Sequence, residues 1–275
     1  MGRGAQDRAD AFLRSLAGAG PIAAERVAVV VAHPDDEALG LGGQLPRLRG
    51  VTLIHVTDGA PRNLDDARRH GFDSAESYAA ARRAELEAAV TLAGVPVEAL
   101  VSLGIADQGA AFALAGIARR LAALFAERKI EIVLTHAYEG GHPDHDATAY
   151  AVDAACRLSS EPAIVEMPFY RAGPEGWLRQ SFAEDGRAAP STVLTLSSEA
   201  LALKRRMLHA HATQRGTLQG FDPAIERFRA APSHDFTQLP NGGDLLYERH
   251  GWGLTGERWL ALVSQAEAEL ARAAA

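Results

Sequence analysis

The chain has 275 residues, 47% of them hydrophobic and 23% charged, which is typical of a globular protein with a sizeable core. The net charge of −7 argues against a nucleic-acid or anionic-membrane partner. No apolar run approaches the ~18 residues of a membrane span, and the charged first twenty residues do not resemble a signal peptide. The single cysteine, Cys156, fits a reducing compartment, so we expect a cytoplasmic protein.

Strand and helix patterns then alternate along the chain. Continuous apolar, β-branched runs predict buried strands at 26–32, 51–57, 98–104, 130–137 and 163–169. Helical spacing of apolar residues predicts helices between them, at 36–48, 78–94, 112–129 and 145–158. This order predicts a Rossmann-like α/β fold, in which helices cover both faces of a mainly parallel sheet.

The pattern loosens beyond the fifth strand. The segment STVLTLS is compatible with one more strand, and a clear helix is expected at 198–214. Loops rich in Gly, Pro and aromatic residues follow, with a last helix from about Glu257. No repeat or linker divides the chain. We therefore expect a single domain over 1–275, with a core at about 26–215 and a C-terminal extension at about 216–275.

Two polar segments follow predicted strands and share a tripeptide. AHPDDE (32–37) follows the first strand, and HPDHD (142–146) follows the fourth. Proline and acids are common at helix starts, so simple capping is one interpretation of the first segment. A cap, however, needs no histidine, and the loops at the carboxyl ends of parallel strands share one edge. If the two strands are neighbours, the clusters face each other, which favours a metal site.

The residue types in these clusters suit a divalent metal. Zinc accepts imidazole and carboxylate ligands, and a catalytic site uses three of them. We expect His33, Asp36 and His145 to be the ligands, with iron(II) or another divalent ion also compatible. Asp35 is left unligated, where it can take a proton from metal-bound water. His142, as an imidazolium, could stabilise an oxyanion or protonate a leaving amine. Together these groups predict amide or ester hydrolysis.

The paired motifs resemble the PIG-L/LmbE family of zinc-dependent de-N-acetylases, over about residues 26–215. Members of that family remove acetyl groups from N-acetylglucosamine units in glycolipid, thiol-precursor and antibiotic pathways. The resemblance implies a small-molecule substrate, namely an N-acetylated amino sugar or its conjugate. It also implies a role for each residue of the two motifs. His33, Asp36 and His145 would bind zinc, Asp35 would act as the general base, and His142 would stabilise the tetrahedral intermediate.

Weaker matches to the family add tentative substrate-binding or supporting residues. Asp58, in TDGAP, would line the pocket or hydrogen-bond a zinc-bound histidine, unless it only forms an Asp-Gly turn. Arg82 lies on the apolar stripe of its helix, where it would pair with Glu85 or reach a substrate hydroxyl or phosphate. Asp107, in LGIADQ, is either a sugar-hydroxyl contact or a turn residue.

Three further features bear on the pocket. His211 lies on an apolar helix stripe, as a core residue or as a support for the site. Some family members carry a tyrosine two residues before HPDH, where this chain has Gly140, so the nearby Tyr138 is the candidate replacement. Aromatic residues that could stack on a sugar or simply pack are Phe169, Tyr170, Trp177 and Trp252.

Two other functions are compatible with these observations. One is a metal-dependent amidase or esterase that acts on a non-sugar substrate. The other is a sugar- or metal-binding module without catalysis, against which the intact Asp35 argues. The sequence carries no readable mark of oligomeric state.

Overall fold

The computed structural model describes residues 2–183 and 190–274. Its helices are α1 (Arg3–Ala17), α2 (Asp36–Leu41), α3 (Asp65–Arg69), α4 (Ala75–Leu92), α5 (Leu114–Glu127), α6 (Pro143–Leu158), α7 (Ser198–Ala210), α8 (Arg215–Leu218), α9 (Leu246–Arg249) and α10 (Gly256–Ala274). Its strands are β1 (Ile22–Ala23), β2 (Val27–Val31), β3 (Leu48–Arg49), β4 (Thr52–Pro61), β5 (Leu100–Asp107), β6 (Ile132–His136), β7 (Ala163–Met167), β8 (Tyr170–Gly173), β9 (Gly176–Arg179), β10 (Thr192–Thr195) and β11 (Ile225–Ala230). None of the described helices is long and apolar enough to cross a membrane.

The central sheet has seven strands in the order β10-β11-β7-β6-β2-β4-β5. Strands β2, β4, β5, β6 and β7 run parallel, which confirms the expected α/β class. The first and fourth predicted strands are β2 and β6, and they are direct neighbours, with Val27 opposite Ile132 and Val29 opposite Leu134. The loops that leave their carboxyl ends therefore emerge side by side at one edge of the sheet.

Strand β2 is buried on both faces, as its continuous apolar sequence predicts. Val29 and Val31 pack into one core, which α1, α4 and α7 cover. Ala28 and Val30 point to the opposite face and pack with α5, α6 and α10. This period-two alternation fixes β2 at the centre of the molecule, so the loop that follows it starts from a rigid position.

The region beyond the fifth predicted strand is more regular than expected. Residues 170–179, for which no element was expected, form the hairpin β8–β9. Residues expected as loops form the strand β11, which joins the central sheet antiparallel to β7. Helix α10 begins at Gly256, beside the expected start, and its Trp259 is fully buried in the second core. The stretch expected as an extension, 216–275, therefore contributes both a sheet strand and a core helix within the described residues.

Candidate active site

The first cluster lies at the carboxyl end of β2, where the chain turns into α2. Asp35 has φ 149° and ψ −25°, a conformation that a non-glycine residue adopts at a cost of order 1–3 kcal/mol. It occupies the N-cap position, yet its side chain makes no capping hydrogen bond. Its N–H instead donates to Glu37 Oε2 at 3.1 Å. Helix capping therefore does not explain this turn.

The second cluster lies at the carboxyl end of β6 and begins α6. His142 is the N-cap, and its Nδ1 accepts the N–H of Asp144 at 3.2 Å. Because Nδ1 accepts a proton donor, the neutral ring carries its own proton on Nε2. The Asp144 carboxylate accepts the N–H groups of Gln108 (2.6 Å) and Ala110 (3.0 Å), which ties this helix start to the loop after β5.

The three expected metal ligands lie in contact with one another. His33 Nδ1 lies 3.3 Å from Asp36 Oδ2, and His145 Nε2 lies 3.5 Å from Asp36 Oδ1. Donor nitrogens of His33 and His145 lie within 4.8 Å of each other. All three side chains are buried. Two loops that are distant in sequence thus bring these side chains together, while the described donor groups close enough to share one ion combine His33 with His142 and His145, or Asp36 with His136 and His145.

The chemistry of this donor set fits a divalent cation. Burial, together with the adjacent His136 ring, lowers the pKa of His145 to about 3, which leaves a neutral imidazole with a free lone pair. Burial would also lower the pKa of His33, but Asp107 and other nearby carboxylates outweigh it and raise that pKa. The negative charge of these carboxylates favours the binding of a cation. Imidazoles and carboxylates, without a thiolate, are ligands that zinc and iron(II) accept, and a bound cation would take the place of the His33 proton.

Asp35 lines the same cavity but belongs to none of the described groups of donors close enough to share a metal. Its Oδ2 accepts a hydrogen bond from Arg82 Nη2 at 3.0 Å. Burial raises the pKa of Asp35 to about 6, although the Arg82 guanidinium opposes the rise. A buried carboxylate that titrates near neutral pH suits a general base.

His142 differs from its expected charge state. Burial and the nearby His33 lower the pKa of His142 well below its ordinary value, so its ring is neutral near pH 7. The structure therefore favours a neutral hydrogen-bond donor over the imidazolium expected from the sequence. The donor is Nε2–H, which lies 3.9 Å from Asp107 Oδ1 in the cavity.

The cavity around these groups has a volume of about 380 Å³. Polar residues line one part of it, namely Asn63, Asp65, Asp66 and Arg69. Aromatic residues line another part, namely Tyr170, Trp177, Phe221 and Trp252. The rings of Tyr170 and Trp177 stack at 4.9 Å. Phe169 lies outside this lining and packs against the rings of the site histidines instead.

Arg82 and Asp107 both lie in the candidate site. Arg82 also donates to the carbonyls of Gly59 (2.6 Å) and Pro34 (3.0 Å), so it ties the turn after β2 to the end of β4. The expected pairing of Arg82 with Glu85 is wrong, because Glu85 accepts hydrogen bonds from the backbone and hydroxyl of Thr213. Asp107 Oδ1 lies 3.4 Å from His33 Nε2.

Two tentative residues lie elsewhere. Asp58 accepts the N–H of Ala60 at 3.0 Å and pairs with Arg62 at 2.6 Å, so it serves the turn rather than a histidine. Tyr138 is buried, donates to the Gln238 carbonyl at 2.9 Å and accepts from Trp259 Nε1 at 2.7 Å. Its one O–H donor is used in the Gln238 contact and the residue is absent from the cavity lining, which argues against the role of the missing family tyrosine.

Sequence reasoning missed several buried residues around the site. His136 lies 3.4 Å from Asp36 Oδ2 and stacks on His145 at 3.9 Å, and its place at the carboxyl end of β6 was a usable signal. Glu37 had no predicted role of its own, but its Oε2 lies 3.0 Å from His55 Nε2. Its Oε1 lies 3.7 Å from His211 Nε2, so His211 supports the turn from outside the cavity lining.

A mainly parallel α/β sheet thus carries, at its carboxyl edge, a buried His–Asp site that fits a divalent metal. Residues 28–156 match the PIG-L family, described as GlcNAc-PI de-N-acetylase. The chain is 30% identical over 247 residues to the 1D-myo-inositol 2-acetamido-2-deoxy-alpha-D-glucopyranoside deacetylase of Corynebacterium glutamicum, covering 78% of this chain and 83% of that relative. The chain belongs to the PIG-L family, which confirms the resemblance read from the motifs.

Two further comparisons agree. The chain is 29% identical over 197 residues to the probable N-acetyl-alpha-D-glucosaminyl L-malate deacetylase 2 of Bacillus anthracis, covering 70% of this chain and 82% of that relative. Among solved structures, the zinc inhibited form of a teicoplanin deacetylase superposes with a TM-score of 0.59 at 16% identity, covering 76% of this chain and 100% of that chain. At 16% identity, the superposition on this solved structure supports the fold alone.

Proposed function

We propose that this protein is a zinc-dependent hydrolase that removes an acetyl group from the amide nitrogen of an amino sugar or its glycoconjugate. The proposal depends above all on one juxtaposition: His33 and His145 both contact Asp36, next to Asp35, a carboxylate outside the described groups of metal donors. The names of the curated relatives, which are deacetylases of N-acetylated glucosamine derivatives, support the bond and the substrate class.

The proposed mechanism assigns each group a task. His33, Asp36 and His145 would hold the metal, which supplies Lewis acidity and acidifies water when it is bound. Asp35, oriented by Arg82, takes the proton of the attacking water. His142 donates from Nε2–H to the oxygen on which negative charge develops. Asp35 then returns the proton to the leaving nitrogen as the carbon–nitrogen bond breaks, which releases acetate and the free amine.

Metal analysis combined with an acyl-substrate panel tests this function. The panel contains N-acetylated amino sugars and their glycosides, N-acyl amino acids, and esters, assayed by release of amine or alcohol. We expect bound divalent metal and turnover of the amino sugars, abolished by a chelator and restored by zinc. Preference for the other substrates would instead identify an amidase or esterase. Absence of turnover in zinc-loaded protein would identify a binding module.

The same purified protein also tests the identity of the metal. Elemental analysis distinguishes zinc from iron(II) as the metal that the protein acquires. A cytoplasmic location remains a prediction, supported by the free and buried thiol of Cys156.

A further inference from the structure

The backbone of Asp35 needs an external restraint. Its φ of 149° is strongly disfavoured for a residue with a Cβ atom, and such conformations persist only where the surroundings enforce them. Arg82 holds the carboxylate of Asp35 and the carbonyl of Pro34. Neither contact restrains the N–H of Asp35, which lies directly on the strained φ bond.

Glu37 provides that restraint. Its Oε2 accepts the Asp35 N–H at 3.1 Å and also lies 3.0 Å from His55 Nε2. Glu37 and His211 are completely buried, and His55 is nearly so. His55 comes from β4 and lies within hydrogen-bond distance, whereas His211 follows α7 and lies against the other carboxylate oxygen at 3.7 Å, beyond hydrogen-bond distance.

We propose that Glu37, confined between His55 and His211, is a positioning residue that holds the Asp35 peptide in its strained conformation, with the Asp35 side chain in the cavity. The inference rests on the proposed role of Asp35 as general base. Glu37 does not line the cavity, so any effect on the reaction must pass through the residues that do. The same turn shows a parallel arrangement, since the Asp36 carboxylate accepts the N–H of His33 at 2.8 Å.

Kinetics of two Glu37 variants test the effect on the base. Glu37→Met keeps a similar volume but removes the acceptor, whereas Glu37→Gln keeps an amide oxygen that can accept the Asp35 N–H. We expect Glu37→Met to lower kcat by about 10²-fold, the effect of a misplaced reactive group, with KM and bound metal nearly unchanged. Glu37→Gln should lower kcat by a smaller factor, because the restraint is partly kept.

Glu226 offers a matched control. It is also a buried glutamate, it accepts a backbone N–H, from Gly43 at 2.8 Å, and it pairs with the buried Lys204. Glu226→Met should destabilise the fold but leave kcat per metal-loaded molecule near that of the wild type. An equal loss of kcat in both methionine variants would overturn the proposal, because the loss would then follow from general damage to the core.

An unfolding experiment tests the strain without any activity measurement. Glycine, which has no Cβ atom, adopts φ 149° with less strain than asparagine, and both substitutions remove the charge of Asp35. Glu37→Met is therefore introduced into Asp35→Gly and into Asp35→Asn proteins. We expect it to lower the unfolding midpoint more in the glycine background, because in the asparagine protein relaxation of the strained backbone returns part of the lost contact energy. Equal shifts in the two backgrounds would show that Glu37 does not restrain this backbone.

The outcomes separate this inference from the proposed function. If no acyl substrate is turned over, the function fails, yet the unfolding comparison still decides the role of Glu37. If Glu37→Met loses metal in proportion to activity, Glu37 supports the metal ligands and the proposal is wrong. Should Glu37→Met fail to fold, Glu37→Asp, which keeps the charge but shortens the side chain, replaces it in both measurements.

Discussion

The loops after β2 and β6 carry the same His-Pro-Asp tripeptide but differ in backbone conformation. After β6, His142 is an extended N-cap whose ring accepts a backbone N–H, and the sixteen-residue helix α6 follows. After β2, the N-cap position is held by Asp35 in a strained conformation without a capping bond, and α2 has only six residues. Capping explains the second loop and fails for the first.

The two loops therefore differ in what holds their functional side chains in place. In the loop after β6, the capping bond also sets the tautomer of His142, so stability and the proposed chemistry use the same contact. In the loop after β2, the local conformation is unfavourable, and contacts from β4, α4 and the segment after α7 compensate for it. Strain at Asp35 therefore coincides with the group that the mechanism needs most.

The largest expected effect belongs to the strained loop. Asp35→Asn keeps the size of the side chain but removes the base, so kcat should fall by about 10²–10⁴-fold. Bound metal, measured by elemental analysis, should stay near the wild-type amount because Asp35 is outside the donor groups. Asp58→Asn is the matched control, since Asp58 serves only a turn. Full activity of Asp35→Asn would show that Asp35 is not the base.

The second largest loss of kcat is expected for a substitution in the loop after β6. His142→Ala removes the Nε2–H donor, and the loss of one such donor lowers kcat by about 10²–10³-fold. It also removes the helix cap, which should cost about 1 kcal/mol of unfolding free energy in urea titrations. His142→Gln retains a neutral N–H donor and should recover part of kcat. If it is as inactive as the alanine variant, a charged ring is required after all.

The pH dependence of kcat/KM tests the loop after β2 through the ionisation of Asp35. The pKa of Asp35 is raised to about 6, and the base works only when it is ionised, so activity should rise with pH up to that value. Below it, kcat/KM should fall about tenfold per pH unit, and a bound cation would move this limb to lower pH because it favours the carboxylate. An acidic limb that persists in Asp35→Asn would assign it to another group.

The smallest kinetic effect is expected at Tyr138, which lies shortly after β6 but outside the cavity. Tyr138→Phe leaves the buried Trp259 indole N–H without its acceptor, which should lower the unfolding free energy by about 1–3 kcal/mol. The kcat should stay near the wild-type value. A loss of kcat as large as that of His142→Ala would place the Tyr138 hydroxyl in the oxyanion site.

Local patterns predicted the strands that carry the site. The run VAVVV signals a strand buried on both faces, and the repeated His-Pro-Asp tripeptide marks two loops at one sheet edge. His136 went unnoticed because a histidine at a strand end has no distinguishing local pattern. Strand β11 was missed because its sequence, IERFRA, is half charged. Two of these charges find partners only in the fold, Glu226 with Lys204 and Arg229 with Glu166.

By itself, the sequence determined the strand–helix order and the ligand types, because periodicity and donor chemistry are properties of neighbouring residues. Only the tertiary structure distinguished the adjacent Asp35 and Asp36. Their separate environments depend on a strained φ angle and on partners from distant segments, Arg82 for one carboxylate and His145 for the other. The neutral state of His142 was likewise decided by burial, which exists only once the sheet and its helices have packed.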